Sequence, residues 1–364
     1  MTTKLRLMFV CILIVFSGVL AGYASSSKQD EKIIWKFFAG KPICTVPAVI
    51  DGIVYFGSGD SSGDWKGHNG CVYAIKVKTG QEKWRFNTTK PVCSSPALDD
   101  GIIYFGCMDS FLYALDANTG KIKWRFKAEN LIRSSPLVVN GMVYLGCTDS
   151  YFYALEAKTG LIKWKFKTND YIYSSPVTAN GLLYFGSSND YFYALNIKTG
   201  KVKWHTNSKF TVEDFADLPA IGGNLIYFKD NWNYLYALDL RTGKEKWKYL
   251  IGRAFASPVV YDEIIFTANQ DIFGLIALDS KTGKKKWKFR TDFRVHSIAV
   301  ANGTVYCGAD NLYAVDAKRG REKWRFSAGS PVSSLAIKDK TLYFGTWNGY
   351  LYALDIDIDK ERNK

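Results

Sequence analysis

The chain has few of the features that mark catalytic chemistry. Its 364 residues include only 7 Cys, 9 Pro and 3 His. No two cysteines are adjacent and none has C-x-x-C spacing, which argues against a zinc ribbon and a thioredoxin-like redox motif. There is no phosphate-cradling glycine loop, and Ser297 beside His296 is a sequence neighbour only, which gives no evidence of a triad. No stretch shows helical periodicity over a useful length. The low proline content and abundant aromatics, 16% of residues, exclude a disordered chain. No basic segment interleaved with aromatics points to nucleic acid, so none is expected as a partner.

One apolar run stands apart at the N-terminus. Lys4 and Arg6 precede apolar residues from Leu7 to Val15, and small residues Gly22 and Ala24 follow. This is the form of a secretory signal. Cleavage after Ala24 is expected, with a membrane anchor as the alternative if it is retained. Tyr23 occupies the place where a lipoprotein signal needs Cys. Removing residues 1–24 deletes two basic residues and no acid, so the formal charge falls from +14 to +12. The exported chain, periplasmic, cell-surface or extracellular, would keep Cys44, Cys71, Cys93, Cys107, Cys147 and Cys307. Buried free thiols are expected, with Cys44 and Cys93 the pair best placed to bridge.

The rest of the chain is repetition. Trp35, Trp84, Trp124, Trp164, Trp204, Trp247, Trp287 and Trp324 recur with a period near forty. Within residues 132–166, "SSPLVV", "MVYLG", "YFYALEA" and "IKWKF" read as four short strands separated by Asn140-Gly141, "TDS" and Thr159-Gly160 turns. Four strands per period describe a propeller blade. The third-strand motif occurs eight times, from Tyr73 to Tyr352. The last copy lacks a tryptophan strand, and "IIWKFF" at 33–38 lacks its first three. The fold expected is therefore all-β, an eight-bladed propeller of four-stranded antiparallel blades. The strand at 33–38 closes the ring on the last blade and removes two open edges. The expected boundaries are a signal peptide at 1–24, a linker at 25–32, the propeller at 33–358 and a polar tail at 359–364.

The motif A-x-D-x-x-T-G-x-x-x-W, seen as "ALDANTGKIKW" and "ALDLRTGKEKW", resembles the PQQ-enzyme repeat, also found in outer-membrane assembly lipoproteins of the BamB type. The resemblance covers residues 33–355. It implies that Trp84, Trp124, Trp164, Trp204, Trp247, Trp287 and Trp324 dock each blade on the next. It also implies two alternatives for function. One is a non-catalytic binding scaffold with a protein partner in the cell envelope. The other is a quinoprotein dehydrogenase using PQQ with calcium. The second is disfavoured because those enzymes are far longer and carry adjacent cysteines at the cofactor. Glu213, Asp217 and Asn231 have no spacing that selects a calcium site.

Departures from the repeat supply the candidate site. Trp65, Trp232 and Trp347 are the tryptophans outside the docking positions, and all three fall between a second and a third strand. Loops there share a face with those entering each first strand, so this face is the expected partner-binding surface. The residue before the "SSP" position reads Cys44, Cys93, Arg133, Tyr173, Ala216, Phe255, Val295 and Val332 around the ring. Arg133, Tyr173, Asp217 and His296 are expected to line the channel. Glu213 and Asp214 stand at the entry to the fifth blade, and Arg253 and Arg294 at similar places. Basic residues of the fourth strands, as in "KWRF" and "KWKF", are expected to guard outer edges, with attraction to an anionic surface as the functional alternative. A monomeric propeller is expected. The sequons at Asn87 and Asn302 carry little weight.

Overall fold

The computed structural model describes residues 32–59, 69–189, 191–207, 218–230, 233–252, 254–269 and 271–357. These residues form thirty-two strands in eight four-stranded sheets, with no helix longer than one residue of 3-10 turn. Seven sheets are antiparallel meanders from an inner first strand to an outer fourth strand, and the eighth takes its outer strand from the N-terminal end of the described chain. In the third blade the strands are Leu137–Val139, Met142–Gly146, Tyr151–Glu156 and Ile162–Lys167. The "SSP" start expected to be strand is a connecting segment instead, where the Ser134 hydroxyl accepts from Gly146 N–H within the blade and the Ser135 hydroxyl accepts from Ser95 N–H of the preceding one.

The ring closes as the sequence implies. Ile33–Phe38 pairs antiparallel with Tyr350–Asp355, with Trp35 opposite Ala353. The same Trp–Ala pairing recurs in every blade, for example Trp124 with Ala114 and Trp164 with Ala154. A register shift follows that alanine in each case, which bends and twists the outer strand.

No blade owns a core. The buried side chains sort into eight clusters, each shared by two adjacent blades. Stability is therefore a property of interfaces, as in other repeat folds. The repeated motif builds those interfaces. Asp116 Oδ1 accepts from the Thr119 N–H at 2.9 Å and the Thr119 hydroxyl at 2.9 Å, which shapes the turn. These bonds hold the Asp116 carboxyl below the usual carboxylate range. Gly120 then adopts φ +70°, and a Cβ there would lie 2.7 Å from the Trp84 ring of the preceding blade. The same turn accepts the Trp84 indole N–H at Ala117 O, 3.0 Å away. Trp124, Trp204, Trp247 and Trp287 repeat this bond to the next blade. Trp164 is an exception: its indole nitrogen is enclosed without a partner, while Tyr144 donates to Ile197 O. Thus Ala, Asp, Thr, Gly and Trp are all spent on docking one blade to its neighbour.

Candidate functional site

The inner strands surround the axis, and the segments entering them are tied together by serines. Val46 N–H donates to Ser95 Oγ, Ser95 N–H to Ser135 Oγ, and Ser135 N–H to Ser175 Oγ, each at 2.9 Å. Leu218 N–H continues the pattern to Ser257 Oγ at 3.0 Å. The other serine of each pair works within its blade: Ser94 Oγ accepts from Gly106 N–H at 2.7 Å and donates to Gly106 O at 2.8 Å. The "SSP" segments are structural, and what varies beside them is open to function.

Superposing the repeats by these contacts corrects two positions of the sequence register. Val332 meets Gly308 as Ile132 meets Gly106, and Val295 is buried in the matching place. His296 and Ser333, rather than Val295 and Val332, are therefore the equivalents of Arg133. The varied series at the mouth contains Arg133, Tyr173, Phe255 and His296. Arg133 lies over the Tyr173 ring at 5.5 Å, and Tyr171 packs edge-on to Tyr173.

The second group is denser. The His296 ring lies 4.9 Å from Trp347 and 6.1 Å from both Phe255 and Phe293. Arg294 lies over Phe255 at 5.2 Å. His296 N–H is fixed to Gly308 O at 2.8 Å, while its Nε2 is enclosed without a hydrogen-bond partner. Burial, aided by the Arg294 charge, pushes the imidazole down to about 4, so it is neutral at physiological pH. Trp347 is 43% exposed and sits on a fixed turn. Its N–H donates to Pro331 O at 3.1 Å, and Asn348 N–H donates to Ser330 Oγ at 3.2 Å. The sequence puts Trp347 on the loop face and His296 among the channel-lining candidates, and the structure brings the two rings into contact. Trp65, Trp232 and Asp217 lie outside the described residues, as do Glu213, Asp214, Asn231 and Arg253.

One feature of this face was missed from sequence. Second strands carry glycine at their last or next-to-last position in most blades, where the next blade's Ile or Val presses on it: a Cβ at Gly146 would sit 2.2 Å from Ile172. In the fifth blade that position is Lys229, only 6% exposed, and Asp230 beside it is 7% exposed. The facing Ile position is Ala254, whose carbonyl accepts from Lys229 Nζ. Asp230 Oδ1 accepts from Tyr234 N–H at 2.8 Å. Lysine at a repeat glycine was the available signal.

The outer wall is basic but anchored. Arg125 lies over Phe111 at 4.7 Å, Lys165 over Tyr151 at 4.4 Å and Arg325 over Tyr313 at 5.1 Å. Lysines next to the docking tryptophans pair with turn acids, as Lys163 does with Glu156 at 3.3 Å and Lys286 with Asp279 at 3.3 Å. Such exposed pairs contribute about 0–1 kcal/mol each. The described cysteines are unbridged, Cys44 half-buried and the rest buried. Cys107 and Cys147 donate to backbone carbonyls, Pro91 O and Leu131 O among them, as Ser187 does to Tyr171 O. The thiol substitutes for a hydroxyl there, and burial raises both thiols well above their ordinary range. Among the described residues, no three His, Cys, Asp or Glu side chains converge where a metal ion could sit.

The profile of the outer membrane protein assembly factor BamB family matches residues 68–289 and 252–362. A search of curated proteins gives no significant match. Among solved structures, BamB from Moraxella catarrhalis superposes with a TM-score of 0.75 at 15% identity, covering 89% of this chain and 99% of that one. A computationally designed protein superposes at 0.73 and 15% identity, covering 89% and 100%. A europium-containing methanol dehydrogenase superposes at 0.72 and 15% identity, covering 89% and 93%. At these identities the superpositions speak for the fold alone.

Proposed function

The chain belongs to the BamB family of outer membrane protein assembly factors, and from that premise we propose that it is a non-catalytic binding scaffold of the cell envelope. Its loop face, where second strands turn into third strands, contacts a protein partner. The observation that carries this reading is Trp347. A large aromatic side chain is held in the open on a turn fixed by two backbone donors, at a place where the repeat has no use for it. A rigid exposed tryptophan is suited to binding because it buries a large area at little entropic cost. Membership of the family supports an envelope location, and the secretory-signal form of residues 1–24 supports the same reading. The basic outer wall adds long-range attraction to anionic surfaces, which raises encounter rates more than affinity.

The dehydrogenase with this fold shows why fold alone does not settle activity. The test is affinity capture from the native envelope with wild type and the Trp65→Ala, Trp232→Ala, Trp347→Ala triple variant. Loss of about 2 kcal/mol, near thirtyfold in affinity, is expected with the circular dichroism spectrum unchanged. Undiminished capture by the folded variant would refute this face. Dye reduction that depends on added PQQ and calcium would replace the scaffold reading with an enzyme.

A further inference from the structure

We infer that an aliphatic belt on the outer wall of the second to fourth blades, made by Ile122, Leu161, Ile162 and Val202 with Lys121 and Lys201 on its flanks, docks the protein reversibly on the anionic face of a lipid bilayer. The belt lies where the fourth strands begin, at the opposite end of each blade from the turn that carries Trp347. It is therefore independent of the loop-face reading.

The belt stands out only against the repeat. Ile122 pairs with Leu115, Ile162 with Leu155 and Val202 with Leu195, so the three occupy one register position in consecutive blades. In four other blades that position holds Glu82, Glu245, Lys285 and Glu322. In the eighth it holds Ile33, which is half-buried. The fold thus accepts a charge at this place and has no need of an aliphatic side chain. Yet Ile122, Ile162 and Val202 are aliphatic and 41 to 47% exposed. The middle blade adds Leu161, 63% exposed, where its two neighbours carry Lys121 and Lys201. A single exposed apolar residue needs no explanation, but four on one stretch of wall mark an interaction surface.

Shape and charge choose the occupant. Successive blades are turned about the ring axis, so a flat surface touching this wall meets the third blade first and the second and fourth at its margins. The side chains follow that order: two aliphatic residues in the middle, then one aliphatic residue and a lysine on each side. Across residues 116–127, 156–167 and 196–207 the acids are Asp116 and Glu156, against eleven Lys and Arg. Asp116 already faces Lys123 at 3.6 Å and Glu156 faces Lys163 at 3.3 Å, while the fourth blade has Asn196 in that place. Apolar side chains ringed by lysine match a layer of anionic headgroups over hydrocarbon. Lysine stems lie along apolar surface while their ammonium groups reach the phosphates, and a small apolar area joined to a basic patch gives reversible attachment. Protein interfaces have the other composition, rich in aromatics and arginine and poor in lysine. A second copy of the chain would set lysines against lysines.

The probe is a set of vesicles of phosphatidylcholine with or without phosphatidylglycerol, and co-sedimentation of the full chain measures binding. The wild type should bind the phosphatidylglycerol vesicles more tightly than the neutral ones. Replacing Ile122, Leu161, Ile162 and Val202 by Gln keeps the charge and should weaken that binding by roughly tenfold or more. Lys121→Gln with Lys201→Gln should weaken it by about fivefold or more. Leu250→Gln removes an exposed leucine outside the belt and should bind as wild type does. Near-ultraviolet circular dichroism checks that each variant is folded. An environment-sensitive dye reports position: attached at Leu161→Cys it should shift to the blue with phosphatidylglycerol vesicles, and at Lys285→Cys it should not, with labelled wild type as the background. Vesicle binding unchanged in the fourfold Gln variant, equal binding of neutral and anionic vesicles, or an equal dye response at both positions overturns the inference. So does a fourfold Gln variant that loses self-association or partner capture while the wild type binds no vesicles, since the belt then contacts protein. Trp347→Ala should bind vesicles as wild type does, so failure here and failure of the loop face are read separately.

Discussion

Two glycines with the same backbone conformation separate the geometry of the repeat from its packing. Gly101 has φ +68° and nothing within 4 Å of a built Cβ, whereas Gly120 has φ +70° and the Trp84 ring 2.7 Å away. Alanine at either position meets the left-handed penalty, about 1 kcal/mol. At Gly120 it must also displace an indole that is tied by its nitrogen to Ala117 in the same turn. Overpacking of that kind costs about 1–3 kcal/mol more. We expect Gly101→Ala to cost about 1 kcal/mol and Gly120→Ala about 2–4 kcal/mol. Urea unfolding followed by tryptophan fluorescence measures both. In a Trp84→Ala background the steric part of the Gly120→Ala cost should vanish, which a double-mutant cycle reads directly. Equal costs for the two glycines, or a Gly120→Ala cost unaltered by removing Trp84, would refute the docking account of the motif.

Two further outcomes follow from the same contacts. Trp124→Ala removes an indole bonded to Ala157 O at 2.9 Å and covered by Gly160, and should destabilise by roughly 3–5 kcal/mol in the same urea assay. The second concerns pH. His296 is held down to about 4 when folded, and an unfolded imidazole titrates near 6.5. Between those values the unfolded chain binds a proton that the folded chain does not, so stability falls as pH drops, by up to roughly 3 kcal/mol across the window. Melting temperature against pH should therefore decline less steeply for His296→Gln than for wild type, and parallel slopes would contradict the burial of a neutral imidazole.

The fold was legible because its determinants recur. A single A-x-D-x-x-T-G-x-x-x-W segment would be weak, but eight third strands and eight tryptophan strands, offset by one at the termini, dictate ring closure. Inner strand bounds were less legible, since "SSPLVV" reads as one strand while Ser134 bonds Gly146 within the blade and Ser135 bonds Ser175 of the next. The cysteines show the same limit: Cys107 and Cys147 occupy places that Ser187 fills in another blade, an equivalence visible only once their carbonyl partners are known. Of the site, exposed Trp347 could be found by exclusion from the docking set. Its contact with His296 could not, because the two residues lie in different blades and a one-residue slip had put Val295 in the position of Arg133.

Lys229 shows what the repeat conceals. Glycine near the end of a second strand and a branched residue in the next blade form one steric unit, in which the sixth blade makes only the small change to Ala268 against Val295. At Gly106, Gly146 and Gly345 a Cβ would come within about 2.5 Å of Ile132, Ile172 and Ile43. The fifth blade changes both halves: the glycine becomes Lys229 and the isoleucine becomes Ala254, which conserves volume and gives the ammonium a carbonyl to bond. Placing an ammonium and the neighbouring Asp230 carboxylate in a nearly closed site brings a desolvation cost that the glycine–isoleucine unit avoids. The other blades fill the same space with apolar atoms. A paired, costly exception on the same loop face as His296 and Trp347 is the pattern expected where function rather than folding selects residues. The fifth to eighth blades thus carry Lys229, Asp230, His296 and Trp347 beside the fold's regular interfaces, and the loop-face proposal directs a partner to that side of the ring.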